Sequence, residues 1–318
     1  MVQDGRFFEL RDIRKEYVLR QSLLQRLTKS APRVAAVDGV SLSIERGAIF
    51  GLVGESGCGK STLAQIIVRL IEPTAGEVVY RGVDVARLKG EEERAFRHAV
   101  QMVFQDTGSS LNPRKRIRRV LAEAVKARGV TGAMAEGEIK TLMHQVGLDT
   151  QLLQRFPHEL SGGQRQRVGI ARALAMKPEV LVADEPVSAL DVSLQGQIIN
   201  LLRDLNRELG LTIILISHDL AVVARVCTQI GVMNAGKVVE RGSPHQVLLH
   251  PVDPYTRMLL ASVPRGLAGR NHRSKSGISA IDGGRSAEER LARFGTGKGD
   301  QQAALGVDRL KIVTTKID

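Results

Sequence analysis

Residues 54–61 read GESGCGKS and fit the pattern G-x-x-x-x-G-K-[S/T]. The run before them, Ala48 to Val53, is continuously apolar and predicts a buried strand, while Ser61 to Ile71 predicts a helix with apolar residues on more than one face. Strand, glycine turn and helix make the context in which this pattern binds phosphate, because the glycines let backbone N–H groups converge on an anion at a helix N-terminus. Lys60 supplies a point charge between β- and γ-phosphate, and Ser61 a hydroxyl ligand for Mg2+. The expected phosphate cradle is therefore Gly54, Glu55, Ser56, Gly57, Cys58, Gly59, Lys60, Ser61 and Thr62. A glycine-rich turn with an exposed lysine is the bland alternative, and agreement in context as well as spacing weighs against it.

Three further strand ends carry polar residues. The apolar run Val180 to Ala183 delivers Asp184 and Glu185, the first suited to a hydrated metal and the second to polarising an attacking water. His218 follows the strand Thr212 to Ile216, and Gln105 follows the short strand Gln101 to Phe104. Alone, an Asp-Glu pair is a polar turn, a histidine after a strand is a structural hydrogen-bonder, and Gln105 is an ordinary loop residue. Ligands of open parallel sheets bind beyond the carboxyl ends of the strands, so four motifs at such ends describe one shared site. LSGGQ at Leu160 to Gln164 stands apart: a serine and two glycines opening a helix form a second anion site.

Together, GESGCGKS, LSGGQ and the VLVADE stretch at Val180 to Glu185, in this order, resemble the ABC ATPases. The resemblance implies an α/β fold: a P-loop NTPase (RecA-like) core, an antiparallel β subdomain and an inserted helical subdomain at about 106–160. It implies ATP as the nucleotide. It makes Gln105 the Q-loop residue, ligating Mg2+ with Ser61 and Asp184, and makes His218, in ISHD, the switch histidine that holds Glu185 and the water in line. It places Ser161, Gly162, Gly163 and Gln164 on the nucleotide of an opposite subunit in a head-to-tail dimer, with Asp191 of SALD in the crossing loop. Tyr17 is the matching adenine-stacking aromatic, set against a core tyrosine. Cys58 lies inside the loop, where a helix N-terminus favours the thiolate, so a maleimide is expected to block ATP turnover and ATP to protect. A small residue tolerated at that position is the default.

The cassette is assigned to 1–243, a C-terminal motif to 244–264 and a tail to 265–318. Phe7 to Val18 and Val34 to Glu45 read as strands of mixed polarity, separated by a basic segment from Leu19 to Arg33, and Ile117 to about Phe156 turns helical. Further on, helices are expected over about Gly163 to Met176 and Ser193 to Leu209. In the tail, a capped helix over Ala287 to Phe294 and a strand over Leu310 to Ile317 are weak readings.

Among the 318 residues the formal charge is +12, which raises nucleic acid or an anionic membrane as partners. The excess is spread along the chain except for the run Arg114, Lys115, Arg116, Arg118 and Arg119, so a solvated face near a membrane is favoured over specific nucleic-acid binding. Two cysteines, neither in a C-x-x-C pair, predict no disulfide framework or zinc site and fit a reducing cytosol. Neither a signal peptide nor an apolar run of spanning length is read, so other chains must supply any pore.

FQDTGSSLNPR at Phe104 to Arg114 and HPVDPYTRMLLASVP at His250 to Pro264 resemble the peptide and nickel importer ATPases. That resemblance, over roughly Phe7 to Pro264, implies a subunit that binds and hydrolyses ATP to energise import of peptides or related small solutes. It implies a place at the cytoplasmic face of the inner membrane, with two permease subunits, a second ATPase and an extracytoplasmic binding protein. Nickel or another non-peptide solute, and a soluble ABC ATPase acting on nucleic acid or ribosomes, are the alternatives. Related subunits carry a cysteine motif near the C-terminus, in some cases with an iron-sulfur cluster; no Cys follows Cys227, so no cluster is expected. Thr107, Gly108 and Asn234 also depart from the family pattern.

Overall fold

The computed structural model describes residues 6–18, 33–105 and 110–262. The basic segment over 19–32, Thr107 and Gly108, and the tail with its expected helix and strand lie outside the described residues.

Two sheets organise the chain. An antiparallel sheet in the order β2-β1-β4-β5 joins β1 (Arg6–Val18), β2 (Arg33–Glu45), β4 (Ala75–Tyr80) and β5 (Val83–Asp84). A six-stranded sheet runs β10-β9-β3-β8-β7-β6, from β3 (Ile49–Val53), β6 (Val100–Val103), β7 (Val180–Asp184), β8 (Thr212–Ser217), β9 (Gln229–Asn234) and β10 (Lys237–Gly242). Neighbours are parallel throughout except for β10. Every residue of β3, β7 and β8 is buried, because both faces of the sheet are covered.

Strand β8 shows how the two faces divide. Ile213 and Leu215 join a core containing the helices, whereas Ile214 and Ile216 join one built with α1 (Lys60–Ile67), α2 (Glu91–Ala99) and the antiparallel sheet. This is the period-2 alternation of a strand with an apolar partner on each side. The first core takes in α3 (Ile117–Ala127), α4 (Gly132–Gln145), α5 (Gly162–Leu174) and α6 (Val192–Leu209). The described residues end with α7 (Leu220–Ala224), α8 (Pro244–Leu249) and α9 (Pro254–Ser262), of which Val247 and Leu259 enter the same core.

The strands expected over Phe7 to Val18 and Val34 to Glu45 are present, and β4 and β5 complete their sheet. The helix expected to reach Ile71 stops at Ile67, since Arg69 takes a left-handed conformation (φ 55) that a helix cannot continue through. The helical reading from Ile117 to Phe156 resolves into α3, α4 and a 3-10 turn at Thr150–Gln154. No helix among the described residues is long and apolar enough to cross a membrane.

Three residues of the basic run are partnered by acids. Lys115 and Arg119 pair with Glu123, Arg118 with Glu136, and the Arg116 guanidinium lies 4.7 Å over the Phe156 ring. A solvated, partly compensated surface accounts for it.

Candidate functional site

β3 delivers the loop 54–59 to the carboxyl edge of the sheet. Gly54 (φ 156) and Gly59 (φ 106) are required there, because a Cβ on either would lie 2.1 Å from a backbone oxygen, of Met233 and Ala36 respectively. The loop is fixed by neighbours as well as by itself. Gly236, in the turn between β9 and β10, donates its N–H to the Cys58 carbonyl at 3.0 Å, and the Cys58 N–H donates to the Glu55 carbonyl at 3.3 Å. The buried Lys60 ammonium donates to the carbonyls of Gly54 (2.7 Å) and Glu55 (2.8 Å). Glu55, Ser56, Gly57 and Ser61 are exposed and Thr62 is half-buried, leaving the loop's outer surface open to an anion.

Cys58 is the exception within the loop. Only 8% exposed, it belongs to the apolar core beneath and sits 2.8 Å from the position a Gly54 Cβ would take. The side chain faces inward, in keeping with the default of a small residue packed under the turn.

β7 ends at Asp184, which is 5% exposed and whose Oδ1 accepts a hydrogen bond from the Ser61 hydroxyl at 3.2 Å. Burial pushes the Asp184 carboxyl above its ordinary value and the Glu185 charge adds to this, while the Ser61 hydrogen bond and Lys60 oppose it. Glu185 follows in the left-handed region (φ 44), held by its N–H to the Ile216 carbonyl at 3.0 Å. Backbone strain of that kind persists only where the surroundings fix it, and it clusters at functional sites.

The Glu185 carboxylate is aimed by two side chains from other strand ends. Gln105 Nε2 donates to Glu185 Oε2 at 3.0 Å, and His218 Nδ1 lies 3.3 Å from the same oxygen. Glu185 is 12% exposed and His218 53%, so the carboxylate is sheltered while the imidazole stands open to solvent. Ser188 was not foreseen from the sequence: its hydroxyl donates to the Glu185 carbonyl at 3.1 Å and lies 3.5 Å from Gln105 Nε2. Its only signal is its place three residues after Glu185.

The structure thus brings together the loop 54–62, Gln105, Asp184, Glu185 and His218. It keeps LSGGQ apart. Ser161 and Gln164 form a reciprocal cap on α5: Ser161 Oγ accepts the Gln164 N–H at 3.3 Å, and Gln164 Oε1 accepts the Ser161 N–H at 3.0 Å. Gly162 and Gly163 pack on Leu190 and Leu194, on either side of the exposed Asp191. No hydrogen bond or ion pair joins this cluster to the loop among the described residues. Tyr17 is 42% exposed near the end of β1. It pairs with Val34, two residues before the Ala36 carbonyl that Gly59 approaches, so it stands near the loop and outside both cores.

The donor set also fits Mg2+. Ser61 and Asp184 offer a hydroxyl and a carboxylate oxygen, hard ligands suited to an ion that keeps its waters and takes other oxygens from substrate phosphates. Among the described residues no group of three His, Cys, Asp or Glu forms a metal site supplied by protein alone.

Comparisons with known proteins bear on the family and the fold. The family model described as ABC transporter matches residues 37–188. The chain is 47% identical over 258 residues to the oligopeptide transport ATP-binding protein AppF of Bacillus subtilis, covering 80% of this chain and 78% of that protein. It is 49% identical over 233 residues to the dipeptide transport ATP-binding protein DppF of Lactococcus lactis, covering 72% and 75%. Among solved structures it is similar to the dimeric post-hydrolysis ATP-binding cassette MJ0796 bound to ADP and Pi, at TM-score 0.65 and 29% identity, over 75% of this chain and 99% of that one.

Proposed function

Because the chain belongs to the ABC transporter family of ATP-binding proteins, we propose that it is the ATP-binding and ATP-hydrolysing subunit of an importer for peptides or related small solutes. The observation that carries this reading is the convergence of Gln105 and His218 on the Glu185 carboxylate, one residue from the aspartate that bonds Ser61 of the glycine loop. The relatives named for oligopeptide and dipeptide transport support the class of solute.

In the proposed cycle the backbone N–H groups of the loop and the Lys60 ammonium hold the β- and γ-phosphates, and Tyr17 stacks on adenine. Ser61, Asp184 and Gln105 hold Mg2+, which when bound neutralises charge across the phosphates. Glu185 accepts a proton from the attacking water, and His218 keeps carboxylate and water in line with the γ-phosphorus. Ser161 to Gln164 and Asp191 complete the site from an opposing cassette, the same chain or a second ATPase. Two permease subunits and an extracytoplasmic binding protein complete the complex, and this chain sits on the cytoplasmic face of the membrane.

A Glu185→Gln variant tests the reading. It keeps the hydrogen bond from Gln105 but loses the base, so it is expected to bind ATP with unchanged affinity while turnover falls about 10²-fold or more. Wild-type turnover in that variant refutes the assignment. In cells, loss of the chain is expected to abolish uptake of radiolabelled di- or oligopeptides, and undiminished uptake removes the peptide class.

A further inference from the structure

The motif around Tyr255 has no part in the cycle above, yet it touches the loop. The Glu55 N–H donates to the Tyr255 hydroxyl oxygen at 3.0 Å. Among the described residues, Tyr255 is the one side chain from outside residues 54–62 that hydrogen-bonds the backbone of that loop. Its own element is firmly seated. The Glu240 carboxylate of β10 accepts the N–H groups of Val252 (2.9 Å) and Asp253 (3.0 Å), Asp253 caps the Tyr255 N–H at 2.8 Å, and the half-buried Tyr255 ring and Leu259 pack on the main core. The other holds on the loop backbone are Lys60 on the Gly54 and Glu55 carbonyls, from within the turn, and the Gly236 N–H on the Cys58 carbonyl. The entry to the turn is therefore tied to the rest of the fold, among the described residues, by a hydroxyl carried on the C-terminal helix.

We propose that Tyr255 is a positioning residue for the phosphate loop: its hydroxyl pins the Glu55 N–H and holds the entry of the turn in the form that receives the β- and γ-phosphates. This rests on the nucleotide reading of the loop. It makes the C-terminal motif a brace for the nucleotide site rather than an appendage, so that whatever displaces α9 also loosens nucleotide.

Tyr255→Phe removes the acceptor and keeps the ring, and Tyr255→Leu removes both. In the full-length protein, the phenylalanine variant is expected to weaken ADP and ATP about fivefold in competition against a fluorescent ATP analogue, the scale of one hydrogen bond. Its melting temperature should fall by no more than about 2–4 °C, the scale of that one bond and less than for Tyr255→Leu, and amide hydrogen exchange in residues 54–59 should quicken. In any assembly that turns over, KM for ATP should rise about fivefold with kcat within twofold. Wild-type affinity and exchange in Tyr255→Phe overturn the proposal. So does a loss of affinity accompanied by the same fall in melting temperature as Tyr255→Leu, since that marks a merely structural role. Wild-type protein that binds no nucleotide defeats the functional reading itself, and the positioning role with it.

Discussion

Two alanine substitutions in the same turn should differ sharply, and the difference follows from the surroundings alone. Gly57 (φ 83) and Gly59 (φ 106) both occupy conformations that L side chains avoid, but a Cβ on Gly57 meets nothing within 4 Å, whereas one on Gly59 lies 2.1 Å from the Ala36 carbonyl oxygen and 2.8 Å from Met233 Cε. The backbone penalty is about 1–2 kcal/mol for each, offset by about 0.4–1 kcal/mol because alanine stiffens the unfolded chain. Gly57→Ala thus nets roughly 0.5–1 kcal/mol of destabilisation on those two terms. Gly59→Ala adds overpacking against a strand backbone that must retreat by more than 1 Å, about 1–3 kcal/mol further. At roughly 2–4 °C per kcal/mol, the melting temperature should fall about 1–4 °C for Gly57→Ala and about 3–16 °C for Gly59→Ala. The assay is thermal unfolding without nucleotide, so that phosphate contacts do not enter. Equal shifts in the two variants, or a harmless Gly59→Ala, refute the claim that the approach of β2 dictates the second glycine.

Arg128 and Glu138, with side chains 12% and 17% exposed, form a sheltered pair that Lys177 joins, and Glu138→Ala should cost about 2–4 kcal/mol by stranding the guanidinium, measured by denaturant unfolding. Burial alone would raise the Glu138 pKa, but the Arg128 hydrogen bond and charge, with Lys177, hold it below its ordinary 4.5. A depressed folded value means stability that is complete above 4.5 and lost as pH falls through the folded value, so Glu138→Gln should flatten the acid limb of the stability curve, and an unchanged limb contradicts the pairing. Cys58 and Cys227 are both buried, so maleimide labelling followed by mass spectrometry should proceed at the rate of local opening and slow further with ATP; prompt labelling of Cys58 in native protein sinks its inward placement. Replacing Ser161 and Gly163 in every copy should abolish turnover while nucleotide binding to the loop persists, and turnover at the wild-type rate removes the opposing-cassette role proposed for LSGGQ.

What could be read from the residues was what local pattern controls. Continuous apolar runs marked β3, β7 and β8 because burial on both faces leaves no alternation to misread, and the glycine loop announced itself by spacing. The polar residues closing β6, β7 and β8 were legible once the sheet was taken as parallel. The hairpin of β9 and β10 and the helix α2 were not, since KVVERG mixes charge with half-buried positions and α2 buries a single large residue, Phe96. Contacts across long sequence separations were hidden as well: Gln105 reaches Glu185 across 80 residues and Tyr255 reaches Glu55 across 200. Nothing in either local pattern specifies such a meeting, which only the packed sheet and the seated C-terminal helix bring about. The inward turn of Cys58 has no sequence signal either, because a loop position says nothing about which way a side chain faces.

Strand β8 divides its side chains between two cores, Ile213 and Leu215 to one and Ile214 and Ile216 to the other. A slip of one residue would exchange the two sets, so neither half of the interior tolerates an error that the other would ignore. Removing the antiparallel layer would also open the core it shares with α1 and one face of β3 and β8, leaving the remainder sticky rather than independent. The molecule is in this respect a laminate whose central ply is glued on both sides: its layers should melt together, and a fragment holding only one of them should precipitate instead of folding.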